Sequence, residues 1–242
     1  MKLHRFPLSH FSEKGRVLLD FKELDYELVE RQLGLPQLGV YRLSGQRKVP
    51  VIEHEGRVIA DSTRIGLYLE ERFPDRRRLL PEDTNRRREV LELENRIDHV
   101  FGGAAPVAWF DAISGERDAV ARLFDVEVYG VGARSSRVWA MAAQAAWKLP
   151  VPRHLAERAH RSTRKLLEEL CHRLDGSSYL FGDEPTLADV AAVGLTFHLE
   201  FPHSRDLRIP ALAGVGVPEY AEDEKLARFF EWRRAFYRDL LR

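Results

Sequence analysis

Two serines three residues apart, Ser9 and Ser12 in the run PLSHFSEKG, lie between a short apolar segment and a helical pattern. Hydroxyls in such a place either cap the helix, accepting from its free N–H groups, or face a ligand as hydrogen-bond donors. A second run, RKVPVIEHEGRVIADST, holds more candidates. Proline within an apolar strand-like run removes a ladder donor. It sits either trans on an edge strand or cis at the strand's start, where it turns the preceding backbone outward. In the cis arrangement Val49, ahead of Pro50, offers its N–H and C=O to an extended peptide. Asp61 and Ser62 precede a further helix. They are good helix caps. Equally, the free N–H groups and positive dipole end there suit a ligand carboxylate, while Asp61 suits an ammonium. An α-amino acid end carries both charges.

The elements that must hold these residues follow from periodicity. KLHRF is a short strand closed by Pro7. From Ser12 the pattern is helical, with Val17, Leu18, Phe21 and Leu24 on one face. YELVE alternates as a half-buried strand does. Arg31 to Lys48 reads as irregular, with three glycines and Pro36. VPVIEHEGRVIA gives two strands around a tight turn at His54-Glu55-Gly56. DSTRIGLYLEERFP gives an amphipathic helix ended by Pro74. The order β-α-β, connection, β-β-α predicts a small α/β domain with a mixed sheet. After Pro81–Thr84, a linker ending in a helix cap, strand signals stop. Helices are expected over Arg86 to about His99, near Ala133–Trp147, and over Arg153–Leu174, Thr186–Leu199 and Asp223 onward.

The totals narrow the function. Of 242 residues 44% are hydrophobic, enough for a substantial core, and 38 Lys plus Arg balance 38 Asp plus Glu. Zero net charge argues against nucleic acid as the main partner. Arg76–Arg78 and Arg86–Arg88 lie among acids and read as solvated helix faces. The single cysteine, Cys171, leaves no internal disulfide and reads as core. His154, His160 and His172 have no acids at ligand spacing, so no metal is expected. MKLHRFPL lacks a signal-peptide core, and no run is long enough to span a bilayer. The expectation is a soluble cytoplasmic protein without membrane insertion.

SHFS at a strand-to-helix turn, KVPVI, and an Asp-Ser pair eleven residues after the proline together resemble the N-terminal domain of the cytosolic glutathione S-transferase family. DEPTLADVAA is similar to that family's helix-start motif in the second domain, a capping box between Thr186 and Asp189. The resemblance covers roughly the first eighty residues and the 180–200 stretch. It implies a thioredoxin-like α/β domain over residues 1–76 and an all-α domain over residues 84–242. The second domain would carry the second-substrate pocket.

The resemblance further implies glutathione as co-substrate, a cis Val49–Pro50 bond pairing with its cysteinyl backbone, and Asp61 and Ser62 on the γ-glutamyl end. Arg47 or Lys48 would meet the glycine carboxylate. Ser9 is the chosen donor to the sulfur, because a helix N-terminus and a hydroxyl both favour a thiolate. Ser12 is the alternative, or a cap or first-turn residue. Neither serine can form a mixed disulfide, which disfavours thiol-exchange chemistry. His10, where the family commonly has proline, reads as an exposed loop residue, and Tyr26 as packing. Trp109, Phe110, Tyr129, Trp139 and Trp147 are either core or the lining of an apolar pocket. The implied activity is conjugation of glutathione to an apolar electrophile, of a detoxifying kind, by a homodimer without metal. The alternatives are a non-catalytic binding or scaffolding protein, or a glutathione-dependent isomerase or dehalogenase.

Overall fold

Strand β1 (Lys2–Arg5), helix α1 (His10–Phe21) and strand β2 (Glu27–Glu30) form a β-α-β unit with parallel strands, Leu3 opposite Leu28. The computed structural model describes residues 1–31, 37–113, 151–204 and 212–241. Strands β3 (Val51–His54) and β4 (Arg57–Ala60) make the expected hairpin. Its turn needs left-handed backbone at two successive residues, supplied by Glu55 at φ 49° and Gly56 at φ 73°. β3 runs antiparallel to β1 with Ile52 opposite Leu3, giving a mixed sheet in the order β2-β1-β3-β4.

The stretch expected to be irregular contains helix α2 (Gln37–Ser44). Periodicity could not reveal it, because Leu38 and Tyr41 are exposed and only Val40 is fully buried. Helix α3 (Ser62–Arg72) ends before Pro74 as read. Helix α4 (Thr84–Ile113) runs far beyond His99, straight through Gly102, Gly103 and Pro106. Tertiary burial overrides these poor helix formers: Val90, Leu93, Ile97, Phe101, Ala105 and Ala108 keep one continuous buried stripe across them. Asp83 Oδ1 accepts from the Arg86 N–H and so caps the start.

Helix α5 (Arg153–Leu174) has the bounds the sequence predicts. Helix α6 (Leu187–Leu195) is shorter than expected and buried along its whole length. It ends where the Thr196 hydroxyl donates back to Ala192 O at 2.6 Å. A short helix α7 (Pro218–Ala221) precedes α8 (Ala227–Leu240), which starts later than Asp223. The helix expected near Ala133–Trp147 lies outside the described residues, as do Tyr129, Trp139 and Trp147.

The Thr186–Asp189 capping box forms at the head of α6. The Asp189 carboxylate accepts from Thr186 N–H at 2.8 Å and, with its other oxygen, from Leu180 N–H at 2.8 Å. α6 thus enters the core with its first turn satisfied. It lies against α1 so closely that a Cβ on Gly194 would come within 2.5 Å of Lys14 Cα. The chain is therefore an α/β thioredoxin-like domain joined to a helical domain, with α1 against both. Among the described residues no helix is long and apolar enough to cross a membrane.

Candidate active site

Ser9 is the N-cap of α1, and its Oγ accepts from Ser12 N–H at 3.2 Å. Its own N–H donates to Phe6 O at 3.0 Å, closing a tight turn after β1. The helix therefore begins at His10, two residues before Ser12, where its pattern starts in the sequence. Ser12 sits in the first turn, fully buried, and its hydroxyl accepts from Phe6 N–H at 3.2 Å. Of the two hydroxyls only that of Ser9, half-buried, lies at the helix mouth.

The Val49–Pro50 bond is cis. Pro50 is buried against α1, where a Cβ on Gly15 would meet its ring at 3.0 Å; glycine permits this approach. Val49 is half-buried. Asp61 caps α3, accepting from Arg64 N–H at 3.0 Å, with its own backbone at φ 80°. Such a φ is uncommon for a non-glycine residue and is found where a ligand or turn requires it. Ser62 is buried, and its hydroxyl has no hydrogen-bond partner. Arg47 and Lys48 are exposed beside Val49 and make no ion pair among the described residues.

The structure thus brings three pieces around α1: the Ser9 turn at its N-terminus, Pro50 on Gly15, and the start of α3. The last contact is made by Lys14, which the sequence reading passed over. Its buried ammonium lies 3.0 Å from Thr63 Oγ1 and 2.5 Å from both Glu94 Oε1 and Asp98 Oδ1 on α4. Thr63 also donates to Glu94 at 2.6 Å. A buried cation needs such pairing. No local pattern announced it, because its partners are 80 and 84 residues away.

His10 is not an exposed loop residue. It is the first residue of α1, buried, with Nε2 3.1 Å from Gly102 O. Burial depresses its pKa to about 4, with the Gly102 hydrogen bond opposing, so the ring is neutral at pH 7. Helix α4 covers it, a long-range event invisible in SHFS. Trp109 is core: it stacks on His198 at 4.8 Å and meets Phe201 edge-on at 5.8 Å. Phe110 is half-buried, Tyr26 donates to Asp20 at 2.6 Å, and the Cys171 thiol is buried with its pKa raised by burial.

Comparison with known proteins agrees with this architecture. Residues 3–77 match the family model described as glutathione S-transferase, N-terminal domain, and residues 138–211 the corresponding C-terminal domain. Glutathione S-transferase 1 of Dianthus caryophyllus is 38% identical over 92 residues, 36% of this chain and 40% of that protein. The chain thus spans less than half the length of that relative. A probable maleylacetoacetate isomerase 2 of Drosophila melanogaster is 25% identical over 211 residues, 85% of this chain and 77% of that one. Glutathione transferase F2 of Populus trichocarpa has the same fold, with a TM-score of 0.61 at 18% identity over 97% of this chain and 99% of that chain. By both domain models and the shared fold, the chain belongs to the glutathione S-transferase family.

Proposed function

We propose that the protein is a glutathione transferase that conjugates the glutathione thiolate to an apolar electrophile. The observation that carries this reading is the convergence on α1 of the Ser9 turn, Pro50 and the head of α3. In this reading the γ-glutamyl carboxylate takes the free N–H groups of α3 and the Ser62 hydroxyl. That hydroxyl reaches it by rotating about χ1, and loses no hydrogen bond in doing so because it has none. Asp61 takes the ammonium, and the Val49 backbone pairs with the cysteinyl residue. Arg47 or Lys48 takes the glycine carboxylate. The sulfur then rests at the mouth of α1, where Ser9 Oγ–H donates to it and the helix dipole favours the thiolate. The sulfur's electron pair forms the S–C bond and the electrophile's leaving group departs with its own pair. The protein's contribution is position and charge stabilisation. The protein works as a cytoplasmic homodimer without metal.

The test is retention on immobilised glutathione followed by conjugation of chloro-dinitrobenzene. Failure of both sinks the reading. A Ser9→Ala variant turning over at the parental rate removes the role given to that hydroxyl, and the same comparison with Ser12→Ala decides between the two. The second reading, a glutathione-dependent isomerase, is favoured by the Drosophila relative, which aligns over most of the chain. Turnover of maleylacetoacetate without net consumption of glutathione would select it. Retention on glutathione with neither turnover would select a binding role.

A further inference from the structure

The residues on either side of Ser9 are each tied to the helical domain. His198, in the turn after α6, places Nε2 2.9 Å from Leu8 O. His10 places Nε2 3.1 Å from Gly102 O. A carbonyl only accepts, so both rings carry their proton on Nε2. The Nδ1 of His198 is buried without a partner, which suits that tautomer, since an unprotonated nitrogen is an acceptor and not a stranded donor. Gly102 O is available for a reason found in the sequence. Pro106 lies four residues on within α4 and has no N–H to return to it. The same glycine lacks the Cβ that would strike Phe11, at 2.6 Å. The two imidazoles meet edge to face at 5.1 Å, with Trp109 stacked on His198.

Resting on the function proposed above, we propose that His198, with His10 beside it, is a positioning residue: its hydrogen bond to Leu8 O clamps the Ser9 turn to the helical domain and so fixes the hydroxyl relative to the glutathione sulfur. The turn belongs to the α/β domain, where Ser12 Oγ accepts from Phe6 N–H; the bond from His198 to Leu8 O, at its other end beside Ser9, comes from the helical domain. Ser9 itself supplies only local bonds, to Ser12 N–H and Phe6 O. A hydroxyl on an unanchored turn donates to the sulfur for only part of the time, and a small misplacement is costly in rate.

The test compares the full-length protein with His198→Phe, which keeps a ring against Trp109 but has no donor, and His198→Gln, which can again donate to Leu8 O. His198→Leu serves in place of the Phe variant should the larger ring prevent folding. The first readout is amide exchange at Ser9 and Ser12, which needs no ligand. The second is the pKa of the bound glutathione thiol, with kcat and KM. The expected result is exchange about tenfold faster in the Phe variant, a raised thiol pKa, and a fall in kcat larger than any rise in KM, with the Gln variant near the parent in all three. Equal exchange in folded parent and Phe variant overturns the clamp. Faster exchange that Gln does not reverse assigns His198 to packing and also overturns it. Faster exchange with an unchanged thiol pKa and kcat overturns the positioning role. A parent that does not depress the thiol pKa sinks the transferase reading instead, while the exchange comparison still decides the clamp.

Discussion

Ser12 and Ser62 carry the same hydroxyl in opposite situations. That of Ser12 satisfies Phe6 N–H, so Ser12→Ala is expected to cost about 1 kcal/mol in urea unfolding. That of Ser62 has no hydrogen-bond partner among the described residues. Ser62→Ala should therefore leave stability within about 0.5 kcal/mol of the parent. It should nonetheless raise the KM for glutathione about tenfold, the usual loss for a hydrogen bond to a charged group. Equal KM values in the two proteins would remove Ser62 from the site. Both serines were conspicuous in the sequence by type and spacing. Which hydroxyl finds a hydrogen-bond partner within the chain was not, because both are buried and the partner is set by how the chain folds around each.

At the scale of elements, α1 carries unusual charge for a helix buried nearly throughout. Glu13, Arg16 and Asp20 pair among themselves at helical spacing, Arg16 Nη2 lying 2.7 Å from Glu13 and Nη1 2.5 Å from Asp20. Lys14 depends wholly on other elements. Lys14→Met leaves Glu94 and Asp98 facing each other without a counter-charge and is expected to cost about 3–5 kcal/mol in urea unfolding. A shift below 1 kcal/mol would contradict the coupling of α1 to α4 through this group. At the head of α6, Asp189→Ala strands the buried Leu180 and Thr186 N–H groups and should cost at least about 2 kcal/mol by the same measurement.

For the whole molecule, the interior sets the acid response. Burial lowers His10 to about 4 and His198 to about 3, the latter with added repulsion from His10, and raises Asp189 to about 6 from the ordinary 3.8. At pH 5 the unfolded chain binds two protons on these histidines that the folded chain does not, while the folded chain binds one on Asp189 that the unfolded chain does not. The unfolded state thus holds about one proton more, and these groups make stability rise with pH by about 1.4 kcal/mol per unit from pH 5 to 6. His4, also lowered by burial, adds in the same direction. Stability is expected to fall from pH 6.5 towards 4.5. His198→Gln removes one of the two histidine protons and should flatten that slope, as followed by urea midpoints against pH. An unchanged slope would show that His198 is not buried neutral.

Local sequence determined much of this protein. The two-residue turn at Glu55-Gly56, the capping box at Thr186, the stop at Pro74 and the bounds of α5 all follow from interactions within a few residues, and these are legible in one dimension. So were the candidates Ser9, Val49–Pro50 and Asp61-Ser62, because strand-to-helix turns and helix heads are marked by residue type. Tertiary structure decided the rest. It made a helix of a stretch with no apolar stripe, carried α4 through Gly102, Gly103 and Pro106, and turned His10, Lys14 and His198 inward. Apart from α2, which packs on the nearby strand β4, those outcomes depend on partners many tens of residues away, and a long-range contact leaves no period in the sequence that makes it.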